Sequence, residues 1–512
     1  MNKLKRFVFT RKFFIVLLAL FQICFFLTLT VRFYTAGAAI YMLMTILSVL
    51  IILYMFERDD MNPAYKISWL IVMIILPVSG AVFYALWGDT KMTKKQKQQM
   101  EQIVRRTNKV MKPNQGIIDR TGAADKSLAK QMLYLQNVAF APAYENTAVK
   151  YYDTGAAYFR DMLADMEKAE NSIFLQYFII DQGYMWDRVL SVLKEKAARG
   201  VDVRLIYDGW GCMVNFPRGY EETLRSCGIK VCVFNDVKFS LHIGDYLMLN
   251  HRDHRKIAVI DSAVGYSGGI NIADEYINYV ERFGVWKDTG FRLEGDAVWS
   301  LTATFIQTWE YGCGEKLDYN NFSPDYSMET DGIVQPYFDT PMDKNNVCAN
   351  AYLNIINNAK DYVYIATPYL VIDNEMLTAL TLAARSGIDV RIVVPGIPDK
   401  WYVYYVTQSY YKALVDAGVK IYEYTPGFVH AKMYVSDDVQ AIVGGANTDY
   451  RSMYLNFENC CSFYGGSITA DVKADFENMF THSHLVTMQD IENVSFLKRL
   501  YQIVFRVLGP MM

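Results

Sequence analysis

One short pattern occurs twice in this chain, and no other feature constrains it as tightly. His254-Arg255-Lys256-Ile257-Ala258-Val259-Ile260-Asp261 returns as His430-Ala431-Lys432-Met433-Tyr434-Val435-Ser436-Asp437, both of the form H-x-K-x4-D. Each copy runs on into paired glycines and an asparagine, Gly268-Gly269-Ile270-Asn271 and Gly444-Gly445-Ala446-Asn447. Only 6 of the 512 residues are histidine. Even with any base allowed for Lys and any acid for Asp, chance supplies about 0.06 matches in a chain of this make-up. Two matches in the same context mean an internal duplication.

Both stretches are apolar and rich in β-branched residues between turn formers, so each reads as a strand beginning at its histidine. Side chains two apart on a strand share a face, which turns each His and its Lys the same way. A neutral imidazole is a nucleophile or base near pH 7 and its cation is an acid. An ammonium group beside it donates to phosphate oxygens. Two such pairs facing each other would form a phosphate pocket with a histidine on either side. A single buried histidine is more often a satisfied core residue, but the doubling argues against that reading. Asp261 and Asp437 complete the motif and are counted with the catalytic set. Their place before Ser262 and Asp438 is also one where Asp commonly forms turns.

The duplication extends beyond the motif. Asn171–Phe178 matches Asp361–Pro368 as a buried strand after a helix, and a helix ending at Arg199-Gly200 is echoed by one ending at Arg385-Ser386-Gly387. Strands Val201–Ile206 and Ile388–Val393 follow, and second helices close at Gly228 and Gly418. Helix–strand alternation with Gly at helix ends predicts α/β units on a largely parallel sheet. The first copy is longer between its closing glycine and its histidine, which places an aromatic-rich insertion near Asp236 to Asn250, either an acyl-chain entrance or a plain surface loop.

With both motifs, the chain resembles the phospholipase D superfamily. The flanking Trp286-Lys287-Asp288-Thr289, Arg292-Leu293-Glu294-Gly295, Asn447-Thr448-Asp449-Tyr450-Arg451-Ser452 and Leu455-Asn456-Phe457-Glu458 are similar to bacterial cardiolipin synthases. The resemblance spans nearly the whole chain. It implies an α/β fold of two pseudo-symmetric repeats with mixed sheets flanked by helices, after an N-terminal transmembrane helical segment. It also implies a catalytic set of His254, Lys256, Asp261, His430, Lys432 and Asp437. His254 would be the nucleophile that takes phosphorus and His430 the acid/base, with the reverse assignment left open by the pseudo-symmetry. Lys256, Lys432, Asn271 and Asn447 would hold phosphate oxygens, while Asp288 and Glu458 would orient the imidazoles. No metal or other cofactor is expected, because two His–Lys pairs supply nucleophile, acid and positive charge, and no carboxylate cluster of the two-metal kind stands near the motifs.

Three uncharged apolar runs, Phe13–Val31, Ala36–Phe56 and Ile67–Trp87, each approach the ~20 residues that cross a bilayer core. The family usually shows two spans, so the first run is a departure. Basic residues before the first run and after the third give opposite orientations for three full spans. The organisation expected is a membrane segment over 1–88, a polar helical connector over 89–134, a first repeat over 135–313, a linker over 314–343 and a second repeat over 344–512. Val494–Leu508 is amphipathic and basic, suited to lying on a membrane or, as favoured here, to packing on the domain.

A net charge of −3 argues against a general nucleic-acid binder. The 8 cysteines lack C-x-x-C spacing, which argues against a zinc site or disulfide framework. The family resemblance implies a multi-pass protein of the bacterial cell membrane that joins two phosphatidylglycerol molecules into cardiolipin and releases glycerol. A phospholipase D-type hydrolase of the same fold is the second reading, and a non-catalytic membrane scaffold is a remote third.

Overall fold

The computed structural model describes residues 34–59, 61–88, 93–217, 219–236, 250–322, 328, 332–343 and 345–511, with isolated positions 20, 24 and 28. The predicted run Phe13–Val31 and the insertion near Asp236 to Asn250 lie almost wholly outside the described residues. Two compact units emerge: an N-terminal one that includes residues 507–512, and a larger one of residues 94–237 and 251–506.

In the N-terminal unit a helix spans Tyr34–Glu57, and two shorter ones span Pro63–Ile75 and Pro77–Phe83. Asn62 caps the second by accepting from the Ala64 amide at 2.9 Å, with Pro63 at the position where a missing N–H costs nothing. Trp69, Met73, Met55, Phe83 and Tyr84 form its small core. Among the described residues no helix is long and apolar enough to cross a membrane.

Among its described residues the larger unit holds seventeen strands. In chain order they are β1 (Thr147–Tyr152), β2 (Ser172–Tyr177), β3 (Asp202–Asp208), β4 (Lys230–Phe234), β5 (Ile257–Ile260), β6 (Val264–Gly268), β7 (Val285–Lys287), β8 (Gly290–Gly295), β9 (Gly332–Asp339), β10 (Tyr362–Ala366), β11 (Asp389–Pro395), β12 (Lys420–Tyr424), β13 (Gly427–Val429), β14 (Met433–Ser436), β15 (Gln440–Gly444), β16 (Glu458–Gly465) and β17 (Ser483–Leu485). One sheet runs β1-β8-β6-β5-β2-β3-β4 and the other β17-β12-β11-β10-β14-β15-β16-β9. The expectation of a largely parallel sheet is corrected. Within these two sheets only β2-β3-β4 and β10-β11-β12 are parallel and the remaining pairings are antiparallel, while β7 and β13 form a separate two-stranded parallel sheet. The reason is local: β5–β6 and β14–β15 are joined by turns too short for a crossover, and such neighbours must be antiparallel. Both sheets are therefore mixed, with helices against them.

The helix ends follow the sequence closely. Gly200, Gly228, Gly387 and Gly418 all take positive φ just past a helix, where a side chain would be strained. Part of the stretch expected as a linker, Gly332–Asp339, is instead the edge strand β9, paired along its length with β16. The polar connector forms helices Lys94–Val110, Gln115–Ala124 and Lys126–Ala139. The first of these ends against Trp299 and Ile306 of the long helix Val298–Cys313 through Met111.

The repeats meet across β6, β8, β15 and β16, where Phe291 packs edge-on against Phe463 at 5.4 Å. Asn459 of β16 donates to Ser267 of β6 at 2.6 Å, and Ser267 in turn donates to the carbonyl of Lys256 at 2.7 Å. These buried polar groups satisfy one another across the seam and fix its register.

Candidate active site

The two motifs do not begin as strands. β5 starts at Ile257 and β14 at Met433, so each His and Lys precedes its ladder. The backbone explains this correction. The His254 amide donates to the Phe457 carbonyl at 2.9 Å, and Phe457 returns a bond to Arg252 at 2.8 Å. The His430 amide donates to the Lys287 carbonyl at 2.7 Å, continuing the parallel pair β7–β13. Each histidine is thus held by main chain of the opposite repeat.

The side chains cross over in the same way. His254 Nδ1 lies 3.0 Å from Glu458 Oε2, and His430 Nδ1 lies 2.6 Å from Asp288 Oδ2. The carboxylate orienting each imidazole therefore comes from the other half of the chain. Glu458 and Asp288 are fully buried, and the imidazoles nearly so. A neutral imidazole that donates Nδ1–H to a carboxylate keeps the lone pair on Nε2. Neither Nε2 finds a hydrogen-bond partner among the described residues.

The paired glycines make room for this arrangement. A Cβ on Gly269 would fall 2.1 Å from Asp288 Oδ1 and 3.2 Å from the His430 carbonyl oxygen. On Gly445 it would sit 3.4 Å from Glu458 Oε2 and 3.5 Å from the His254 carbonyl oxygen. Only a residue without a side chain lets the carboxylate and the opposite histidine close over position 269.

Lys256 and Lys432 are buried, and each ammonium folds back to donate to the carbonyl of its own histidine. Lys432 Nζ also stands 2.7 Å from His430 Nδ1. Since Nδ1 gives its hydrogen to Asp288, that contact is a close approach of a cation and not a second hydrogen bond. Phe178 packs edge-on against His254 at 5.0 Å, and Tyr276 against His430 at 5.3 Å.

Burial lowers His254 to about 4 and His430 to about 3, against the opposing pull of Glu458 and Asp288. It also lowers Lys256 to about 8 and Lys432 to about 7. Burial works to raise Asp288 and Glu458, but the facing imidazoles and lysines outweigh it and leave both below the ordinary carboxylate range. The resting site thus holds neutral imidazoles, ionised carboxylates and cations that a bound anion would stabilise.

Asp261 and Asp437 are not brought to this site, which corrects their place in the catalytic set. Asp261 accepts from the amides of Glu170, Asn171 and Ser172 at 2.7–2.8 Å, and Asp437 from those of Lys360, Asp361 and Tyr362 at 2.8–2.9 Å. Each sits at positive φ in the turn after its strand and braces the start of β2 or β10. Asn271 accepts from the Ile179 amide and donates to Tyr276, which commits much of its amide to structure. Asn447 donates to Asp449 at 3.0 Å and leaves its carbonyl oxygen buried without a partner among the described residues. The sequence reading missed Ser267, Asn459 and the backbone of Phe457 and Lys287, all placed by pairing between distant strands.

Two repeats contributing crossed His–Lys–carboxylate groups to one centre define the phospholipase D-like class. The cardiolipin synthase, phospholipase D-like domain model matches residues 162–292 and 352–480, and a phospholipase D-nuclease N-terminal model matches residues 40–88. The chain is 36% identical to a cardiolipin synthase of Geobacillus kaustophilus, over 91% of this chain and 92% of that one. It is 39% identical to an uncharacterized protein of Streptococcus mutans, over 89% of this chain and 98% of its relative. A phosphatidylserine synthase structure from Haemophilus influenzae superposes with a TM-score of 0.56 at 13% identity, covering 75% of this chain and 98% of that one, a likeness of fold. The chain belongs to the cardiolipin synthase family of phospholipase D-like proteins.

Proposed function

We propose that this chain joins two phosphatidylglycerol molecules into cardiolipin and releases glycerol, working at the bacterial cell membrane with its apolar N-terminal runs in the bilayer. The observation that carries the reading is the crossed pairing of His254 with Glu458 and His430 with Asp288 around two buried lysines.

The phosphodiester anion enters between Lys256 and Lys432, which turn ammonium hydrogens from the histidine carbonyls to the phosphate oxygens. Its negative charge raises the imidazole affinity for protons, so one histidine holds a proton on Nε2 while the other stays neutral. His254 Nε2 attacks phosphorus, the bond from phosphorus to the glycerol oxygen breaks, and His430 passes its Nε2 proton to the departing alkoxide. Glycerol leaves a phosphatidyl group on His254. A hydroxyl of a second phosphatidylglycerol then gives its proton to His430 as its oxygen attacks phosphorus, and the P–N bond breaks. Glu458 and Asp288 steady the positive charge that develops on each ring.

Water competes with the lipid alcohol as acceptor, so transfer needs a phosphohistidine shielded from bulk solvent and close to a second lipid. The test is to supply phosphatidylglycerol in vesicles and weigh cardiolipin against phosphatidic acid by mass spectrometry. Cardiolipin and glycerol in equal amounts are expected, with reversal on adding glycerol. A product dominated by phosphatidic acid would make water the acceptor and the chain a hydrolase.

A further inference from the structure

The C-terminal helix Phe496–Leu508 is turned inside out relative to an ordinary surface helix. At 3.6 residues per turn, Phe496, Leu497, Leu500, Tyr501, Ile503 and Val504 fall within one arc of roughly 160°. A soluble domain would bury that arc. Here Phe496 is 79% exposed, Leu497 64% and Ile503 58%, while the polar Gln502 is the helix's one buried residue, at 9%. The polar side shares in the packing. Arg506 donates to the Ser409 carbonyl at 3.1 Å and lies 4.3 Å over the Tyr410 ring, and Lys498 stands 6.0 Å from the Tyr405 ring. The helix therefore meets the domain along its polar edge and through Phe505 and Tyr501, which lie against the rings of Trp401, Tyr402 and Tyr405, while the rest of the apolar arc faces outward.

We infer that the outward face of this helix is a bilayer-docking surface that lies in the headgroup region of an anionic membrane. Three observations select a lipid bilayer as its occupant. Exposed contiguous apolar side chains of this extent mark an interaction site, and the helix has the composition of interfacial helices, apolar on one face and basic along its edge. Lys498, Arg499 and Arg506 are its only charged residues, all positive, which complements anionic lipid headgroups. Trp401, 57% exposed, packs edge-on against Phe505 at 5.3 Å and adds to the surface a side chain that favours the boundary between water and lipid. The inference rests on the reading that the chain works on membrane lipids. It adds a second point of attachment, one that belongs to the catalytic half of the sequence.

The test reads depth and not turnover, so it stands apart from the test of activity. The full-length chain, carrying a fluorescent non-natural amino acid at position 500 or at the exposed control position 412, is reconstituted into phosphatidylglycerol vesicles with brominated acyl chains. Loss of fluorescence at 500 but not at 412 is the expected result. An unquenched probe at 500 overturns the inference, as does a signal that follows protein density and ignores bromine, which would mean that a second copy covers the face. The variant Leu497→Ser/Leu500→Ser/Val504→Ser checks the consequence. Because these side chains are exposed, its melting temperature in detergent should equal that of the parent, with turnover kept in mixed micelles and reduced on vesicles. Equal turnover on vesicles would also overturn the inference.

Discussion

Glu458 reaches across from the second repeat to within 3.0 Å of His254 Nδ1 in the first. Neither half of the chain therefore holds a complete histidine–carboxylate pair, since Asp288 makes the converse contact with His430 at 2.6 Å. On the proposed mechanism, crossing the partners makes the docking of the two repeats a condition of catalysis. Glu458→Gln keeps the shape of the side chain and removes its charge, so the imidazole loses both its tautomer and the stabilisation of its cation. Turnover should fall by about 10²–10⁴ with KM little changed, as should that of Asp288→Asn. Steady-state kinetics on mixed micelles checks this, and a loss confined to KM would mean that the carboxylates only help to bind substrate.

Removing either imidazole is the sharper change. His254→Ala and His430→Ala should each cost at least ~10²–10⁴ in rate. The two should differ when the substrate carries radiolabel in its phosphatidyl group. With His430 removed, label can still reach His254 slowly and be trapped by rapid denaturation in detergent at neutral to mildly alkaline pH, where the P–N bond survives, while His254→Ala should trap none. Label held only by the chain lacking His254 would reverse the assignment of nucleophile and acid.

How much of this was legible beforehand depended on how local each feature is. The H-x-K spacing, the glycines and the helix-ending Gly200 and Gly387 are written in consecutive residues and needed no partner to be understood. The identity of Asp288 and Glu458 was readable from their flanks, but the fact that they cross was not, because it follows from β7 pairing with β13 and from Phe457 bonding to His254. The same nonlocal bonds hold His254 and His430 off their strands, which period-two alternation alone could not reveal. Asp261 misled because its place in the motif suggests chemistry, while its carboxylate is taken up by three amides of a segment some ninety positions earlier. The C-terminal helix was recognisable as amphipathic, but which face it would turn outward was not, since periodicity gives a face and no direction.

Gly269 offers a test of the cradle under the carboxylate. In Gly269→Ala the new methyl would lie 2.1 Å from Asp288 Oδ1, so either the carboxylate or the strand must move. Overpacking of this kind costs about 1–3 kcal/mol, and the displaced Asp288 should lower turnover as Asp288→Asn does. Gly445→Ala meets its nearest neighbour at 3.4 Å, an ordinary contact, and should be the milder change. Thermal melting in detergent together with kcat for the two variants decides this, and equal effects would count against the close approach at Gly269.

On the proposed mechanism Lys256 and Lys432 supply the positive charge at the phosphate, so activity of the dialysed protein should survive a strong chelator. Divalent ions should still change the rate on anionic vesicles by screening the headgroups. Loss of activity with EDTA that one particular metal restores would show that the lysines do not suffice.

The buried histidines also predict how stability depends on pH. His254 and His430 titrate at about 4 and about 3 in the folded chain, below the ~6.5 of an unfolded imidazole. Between these limits the unfolded chain binds protons that the folded chain refuses, so acidification through this window favours unfolding. Each histidine contributes at most ~1.4 kcal/mol per pH unit there. Lys256 and Lys432, lowered to about 8 and about 7, act with the same sign at higher pH, because the unfolded chain still holds their protons up to ~10.4. The melting temperature in detergent should therefore rise steeply from pH ~5 to ~6.5 and go on rising above pH ~8. The double variant His254→Gln/His430→Gln should lose the first rise and keep the second, and Lys256→Met/Lys432→Met the reverse. A wild-type melting temperature that is flat from pH ~5 to ~6.5 would mean that the imidazoles already carry protons at rest. His254 would then need to lose a proton before it could attack.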